Sequence, residues 1–330
     1  MPRAPRLNLE SKFAELRSWK TAPEEIALAG VRRLLSDPTH LVVARAATLA
    51  TDRLLDAVIP DLLTAFNRLF GSDPGMSGAE ADPRCLAKVA VANALKVLGH
   101  TDPAPFLRGI AHVQMEPDIP KPVDTAPALR GMCALGLVGS SMDSFDVLIR
   151  LTDLLTDPAP IVRQEAARAI GGLALREGVL PLRLKVALGD PEPEVVGECL
   201  SALLRLEPKG HIGFVGATLK GRLWIEGAIA LAGCDDDEAV GLLIACFGAK
   251  RDPAARGSLI SLLGGSPALA AAEFLMSLLV DGAPAEAELA LDALAGSRYR
   301  SRLEARIREI AAGREGLLAR WAYDADAGSE

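Results

Sequence analysis

A turn-and-helix unit that recurs about every thirty residues is the feature that most constrains how this chain folds. Its clearest copy is Asp157-Pro158-Ala159-Pro160-Ile161-Val162-Arg163-Gln164-Glu165-Ala166-Ala167-Arg168-Ala169-Ile170-Gly171-Gly172-Leu173. This reads as a turn, a helix started at proline and a glycine stop. A helical unit of this size buries one face only, so copies must stack on their neighbours to close a continuous core.

Counting from the turn aspartate sets the register. Asp37, Asp82, Asp124, Asp157 and Asp190 each precede a helix with the same apolar rhythm. Nine residues on stand Ala46, Val91, Cys133, Ala166 and Cys199; one further on stand Ala47, Ala92, Ala134, Ala167 and Leu200; three beyond those stand Ala50, Leu95, Leu137, Ile170 and Leu203. Small or aliphatic residues thus recur on one helical face. Later copies are degenerate, with Gly227, Ala228 and Leu231, then Leu259, Ile260 and Leu263, then Ala290, Leu291 and Leu294 in these slots. Spacing between copies settles at 31–33 residues after Asp124 and is looser before it.

Each first helix is followed by a second, predicted at about 57–70, 104–115, 143–156, 178–188, 210–220, 237–249, 268–280 and 300–312. Nothing alternates apolar and polar residues long enough to predict a sheet. Aromatic residues are only 4 % of the chain, so its apolar content is mostly Ala, Leu, Val and Ile, which suits closely packed helices. The turn aspartate is placed to accept backbone N–H bonds as a helix N-cap. The pairs Asp82/Lys88, Asp124/Arg130 and Asp157/Arg163 share a six-residue separation and are placed to bridge one turn to the next helix.

The pattern Asp-Pro-x-x-x-Val-Arg-x-x-Ala-Ala-x-Ala-Ile-Gly resembles the HEAT repeat, in the short bacterial subtype of the phycobilisome lyases. The match is close at 157–173, fair at 82–99, 124–139 and 190–204, and weak at 218–233 and 281–296. The resemblance implies an all-α, right-handed α-solenoid of about eight helical hairpins, with the second helices on the concave side. It implies no single activity, because scaffolds, lyases, hydroxylases and glycosylases share the fold. The expected organisation is one solenoid over 1–330: capping helices at 1–36, repeats at 37–313 with a flexible Gly/Ser/Pro-rich loop at 71–81, and a helix end with an acidic tail at 314–330.

Chemistry-bearing motifs are sparse. His40, His100, His112 and His211 lie far apart, and no His-Glu dipeptide of the kind that HEAT-type iron hydroxylases carry is present. Asp235-Asp236-Asp237-Glu238 is read as a helix start whose acids favour the dipole, rather than a cation site. No nucleophile elbow, phosphate-binding loop or dinucleotide fingerprint occurs. Cys85, Cys133, Cys199, Cys234 and Cys246 are odd in number and form no C-x-x-C pair, which fits buried thiols in a reducing cytoplasm. No apolar run follows the basic start at residues 1–7, so neither signal peptide nor membrane span is read. The formal net charge of -7 and the widely separated Trp19, Trp224 and Trp321 argue against nucleic acid as ligand, though HEAT-like glycosylases remain the third alternative.

The sharpest positive signal is a row on the second helices. Arg108, Arg150 and Arg183 each lie twenty-six residues beyond their own turn aspartates, with His112 one turn past Arg108 and Lys185 beside Arg183. Stacked at a helix spacing of about 10 Å, such a row forms a ladder of forks suited to carboxylate or phosphate. The same polar slot is also filled well by any solvated Arg. A further row, Arg298, Arg302 and Arg306, is read as a solvated face because Glu304 and Glu309 accompany it. The function expected is a cofactor-free, non-catalytic scaffold whose concave face, at Arg108, His112, Arg150, Arg183 and Lys185, grips an acidic protein segment. The alternative is a bilin-lyase-type chaperone or enzyme holding propionates on the same arginines.

Overall fold

The computed structural model describes residues 9–71, 78–314 and 317. The chain divides into two compact units, Met1–Leu175 and Arg176–Glu330. The first holds α1 (Leu9–Ser18), α2 (Glu24–Leu35), α3 (His40–Asp52), α4 (Ile59–Leu69), α5 (Gly78–Ala81), α6 (Leu86–Val97), α7 (Ala104–Ile110), α8 (Pro127–Val138), α9 (Ser144–Leu154) and α10 (Pro160–Gly172). The second holds α11 (Val179–Leu188), α12 (Pro193–Leu206), α13 (Pro208–Gly216), α14 (Trp224–Ala232), α15 (Asp237–Ala249), α16 (Pro253–Gly264), α17 (Leu269–Asp281), α18 (Pro284–Ala295) and α19 (Arg300–Ala312). The fold is all-α.

First helices stack side by side, α3 on α6, α6 on α8 and α8 on α10 in the first unit, then α12 on α14, α14 on α16 and α16 on α18 in the second. Second helices lie along these rows: α7 rests on α8, α9 on α10, α13 on α14 and α17 on α18. The stacking follows from the sequence register. All fifteen residues of the three core slots in the first five copies are fully buried, at 0 % exposure, and the degenerate copies bury theirs as well. Proline opens α8, α10, α12, α16 and α18 at a position whose N–H has no helical partner.

Glycine sets how closely α7 meets α8. A methyl group on Gly109 would come 2.1 Å from Cys133 Sγ, and one on Gly136 would come 2.4 Å from the Phe106 ring. Phe106 and Cys133 are both fully buried, so neither has room to retreat.

Three expectations are corrected. The turn aspartates do not act alike. Asp82 does accept from the Ala87 and Lys88 N–H groups in the first turn of α6, at 2.9 and 2.8 Å. Asp157 is no N-cap, because its Oδ1 accepts from Ala159 N at 2.8 Å and Ala159 is itself the N-cap of α10. Asp37, Asp124 and Asp190 make the same two-residue bridge to Thr39, Ala126 and Glu192. They hold the turn ahead of the helix, while side-chain capping is done by Asp143, Asp236 and Asp252. Gly171 and Gly172 do not stop α10, which runs through both and reverses at Ala174 with φ 53°. Seventeen residues past the aspartate is the reversal point in three copies, with Leu54 at φ 51° and Gly99 at φ 74° beside Ala174. Finally, the helix expected at 104–115 ends at Ile110. A two-stranded ribbon follows, β1 (Met115–Glu116) antiparallel to β2 (Val123–Asp124), around the prolines at 117, 120 and 122. Of the loop expected at 71–81, residues 72–77 lie outside the described residues, as does the acidic tail at 323–330; residues 78–81 form the short helix α5.

Two stability outcomes follow. Gly136→Ala should lower the urea midpoint by the equivalent of about 1–3 kcal/mol through overpacking against Phe106. Leu54→Gly removes an exposed left-handed leucine and should raise stability by up to about 1 kcal/mol, despite deleting an apolar side chain. A midpoint unchanged in the first variant, or lowered in the second, would contradict the respective geometry.

Candidate functional site

The predicted bridge from one turn to the next helix is present and centres on Arg130. Its Nη1 donates to Asp124 Oδ2 at 2.7 Å, while Nε and Nη2 donate to Asp157 Oδ2 and Oδ1 at 2.8 and 2.9 Å. Nη1 also donates to the carbonyl of His112 at 3.0 Å, so one buried guanidinium ties two successive turns and the ribbon together. Arg163 donates to the main-chain carbonyls of Asp157 and Pro158.

Around the ribbon lies a polar cluster that spacing alone did not indicate. Lys88 is fully buried on α6, with Nζ donating to the Gly78 carbonyl at 3.0 Å and to Gln114 Oε1 at 2.7 Å, and lying 3.8 Å from Asp82 Oδ2. Gln114 Nε2 donates to the Asp82 carbonyl at 2.9 Å and to Glu116 Oε1 at 2.7 Å. Thr125 Oγ1 and the Arg84 N–H donate to the same Glu116 oxygen. These donors hold Glu116 below the ordinary carboxylate range against a desolvation that pushes the other way. Burial lowers Lys88, opposed by Cys85, Asp82 and Glu116. The signal for this cluster was the 42-residue interval from Asp82 to Asp124, long for one repeat and rich in proline.

The second-helix row comes out residue by residue. On α7, Arg108 Nη1 donates to Asn67 Oδ1 at 2.9 Å, and its guanidinium carbon sits 4.1 Å from the centre of the Phe70 ring. His112 is past the end of the helix and half-buried; its ring meets the edge of the same Phe70 at 4.7 Å and its Nε2 lies 3.2 Å from Gln114 Oε1. Burial lowers its pKa, partly offset by that contact with Gln114. Arg150 on α9 is exposed. On α11, Arg183 is exposed and stacks 4.2 Å above the Phe214 ring of α13. Lys185 instead bonds the turn aspartate Asp190 at 2.7 Å, whose side chain is almost wholly buried. Arg108 and Arg150 therefore belong to the first unit and Arg183 to the second. None of these three arginines has a carboxylate in ion-pair range among the described residues.

Beside them stand apolar residues that sequence reasoning passed over. Twenty-three, twenty-seven and thirty-one residues after Asp124 come Val147, Leu151 and Leu155 of the α9 segment, 1, 0 and 4 % exposed. The same count from Asp157 gives Leu180, Leu184 and Leu188 of α11, which are 74, 61 and 76 % exposed. The next copy presents Gly213 on α13 and Ala217 just past its end at the first two of these positions, also exposed but small. Phe145 and Ile149 are exposed large apolar side chains on α9.

The remaining candidates are structural. All five thiols are free and buried, burial alone driving Cys133 far upward and, with Lys185 pulling down, raising Cys199 to about 12. Asp236 Oδ1 caps α15 through Glu238 N at 2.8 Å. His211 is buried with Nδ1 2.9 Å from the Glu207 carbonyl. Arg306 pairs with Glu273 at 3.1 Å. Trp321 lies outside the described residues, and Trp19 packs across Gly30.

No family model matches the sequence, and no curated protein does. Among solved structures, the complex of CpcE and CpcF of phycocyanin lyase from Nostoc sp. PCC7120 is similar, at 20% identity over 81% of this chain and 94% of its own, with a TM-score of 0.39. An engineered protein is 16% identical over 96% of this chain and 94% of its own, with a TM-score of 0.34. The helical architecture rests on the coordinates described above, not on these likenesses.

Arg130→Met should cost about 3–5 kcal/mol by leaving two turn carboxylates without their shared cation. Burial pushes Asp124 up, but the Ala126 N–H, Arg130 and the Gln114 N–H outweigh it and hold the carboxyl below its ordinary range. A depressed carboxyl stabilises the fold above its unfolded value of about 3.9, and this stabilisation is lost as pH falls through the folded value. The stability gap between wild type and variant, measured by urea titration, should accordingly narrow as pH drops below about 4. A gap that stayed constant would contradict the ionic origin.

Proposed function

We propose that the chain is a non-catalytic scaffold that binds an acidic, extended segment of a protein partner on its second helices, at Arg108, Arg150 and Arg183. The observation that carries this reading is the pairing of guanidiniums that lack carboxylate partners with exposed large apolar side chains on the same helices, Phe145 and Ile149 on α9 and Leu180, Leu184 and Leu188 on α11. Exposed apolar residues grouped with a fork of N–H donors are the composition of a protein-binding surface, where burial supplies affinity and charge supplies selection. His112 would act through Phe70, steadying Arg108, and Lys185 through Asp190, steadying the turn that follows α11. A catalytic reading has less support: the thiols and Lys88 are buried, and each thiol with a displaced pKa is raised, which weakens it as a nucleophile. Free buried cysteines fit a reducing compartment, so we place the protein in the cytoplasm. Among the described residues no helix is long and apolar enough to cross a membrane.

The test compares proteins retained from the native host by the wild type, by Arg108→Glu/Arg150→Glu/Arg183→Glu and by Leu180→Ser/Leu184→Ser. The expected result is a partner retained by the wild type, released by raised salt and lost tenfold or more from both variants. An identical set on all three baits would overturn the assignment of this surface. Retention of a tetrapyrrole in place of a protein, read by its visible absorbance, would overturn the scaffold reading in favour of the lyase alternative.

A further inference from the structure

A second site, independent of the second-helix row, lies where α1 crosses α3. The two helices and the turn after α1 line an open groove of about 390 Å³. Its apolar floor is Phe13, Leu16 and Leu49, the two leucines being buried. Its rim carries Arg17, Lys20 and Arg45, against one carboxylate, Asp52. Arg45 lies flat on Phe13, its guanidinium carbon 4.1 Å from the ring centre. None of the three cations has a carboxylate in ion-pair range among the described residues. That is unusual for this region, because the neighbouring cations are matched: Lys12 pairs with Asp37 at 2.6 Å, and Arg33 with Glu15. The Thr48 hydroxyl, also on the groove, donates to the Ala44 carbonyl at 3.0 Å.

We propose that this groove binds a small amphipathic anion, an aliphatic or aromatic body of about six to ten carbons ending in a carboxylate or related oxyanion. The volume falls in the range of about 300–1,000 Å³ usual for small-molecule pockets, and is too small for a folded segment. The floor supplies burial for the hydrocarbon, and the excess of cations over Asp52 selects the charged end. Arg45 contributes a fork already held in its plane by Phe13, so little side-chain freedom is lost on binding.

The probe is octanoate, titrated calorimetrically into the full-length chain, with binding located by amide NMR shifts on α1 and α3. One equivalent is expected, weakened tenfold or more in Arg17→Ala/Lys20→Ala/Arg45→Ala. Arg17→Glu/Lys20→Glu leaves the Arg45–Phe13 stack intact and should weaken binding similarly, which separates charge from any loss of helix packing. Hexanoate should bind up to about fifteenfold more weakly than octanoate, and 1-octanol at least about tenfold more weakly. The proposal is overturned if the wild type does not bind octanoate, if both variants bind it normally, if octanol matches octanoate, or if the shifted amides lie outside α1 and α3.

Discussion

The Arg130 guanidinium is the point on which the first unit depends. A stack of helices buries apolar faces well but leaves the turns between copies to be held by something directional. Arg130 does this by bonding the aspartates of two consecutive turns and the carbonyl of His112 just past α7. Desolvating such a cation costs several kcal/mol, and a single carboxylate would offset that poorly. Two carboxylates, one of them bidentate, together with a carbonyl satisfy it well enough to fix the register of α8 against α10. Because each aspartate also closes its own turn through the backbone N–H two residues on, the carboxylate is already oriented when the arginine meets it. Lys88 fills the corresponding slot one copy earlier and finds a different solution. Its Asp82 contact is long, at 3.8 Å, and the ammonium turns to Gly78 and Gln114 instead. That contact holds Gln114, the residue before the ribbon, in the core.

Close packing between helices then follows from side-chain size. Alanine, glycine and cysteine at the ninth and tenth positions let first helices approach, and Gly109 and Gly136 let α7 sit down on α8 around Phe106. Phe106 fills the α7–α8 contact, and Phe70 and Phe214 lie at the edge as platforms for cations.

Most of this architecture was legible because it depends on positions repeated along the chain. Three slots counted from the aspartate name fifteen residues, and all fifteen are fully buried. What could not be read depends on geometry that varies between copies. Asp157 has the right chemistry for a cap, but whether its carboxylate meets the helix or its own turn is decided by where Pro160 starts the helix. The reversal at Ala174 lies two residues past the glycines that advertise it, since the left-handed position is fixed by the register and not by which residue occupies it. The early end of α7 had no proline to announce it, since the three prolines all follow position 115, and strands of two residues carry no alternation to detect. Leu180, Leu184 and Leu188 stand in the positions that α9 buries, so the register predicts a core stripe; they are exposed instead, because burial depends on what packs against a helix, which no single helix encodes.

The cations of this protein divide by the partner each is given. Buried or turn-facing ones meet anionic or carbonyl oxygens: Arg130 between two aspartates, Lys185 on Asp190, Lys12 on Asp37. Arg256 shows both modes at once, 3.8 Å above Phe247 and bonded to Glu286 at 2.6 Å. Arg108 and Arg183 have an aromatic face without a carboxylate. The distinction has chemical consequences. A carboxylate occupies the donor edge of the guanidinium and leaves little for a ligand. A ring face engages the π-plane, holds its orientation and leaves the N–H edge directed outward. Stacking therefore lowers the entropy that an exposed arginine would lose on binding without consuming the donors that binding needs. The same reasoning joins Arg45 on Phe13 to the second-helix row, and it explains why a chain with net charge -7 can still present local sites for anions. Overall charge governs the long-range field, whereas the choice between ring and carboxylate as neighbour determines which arginines stay open to a ligand.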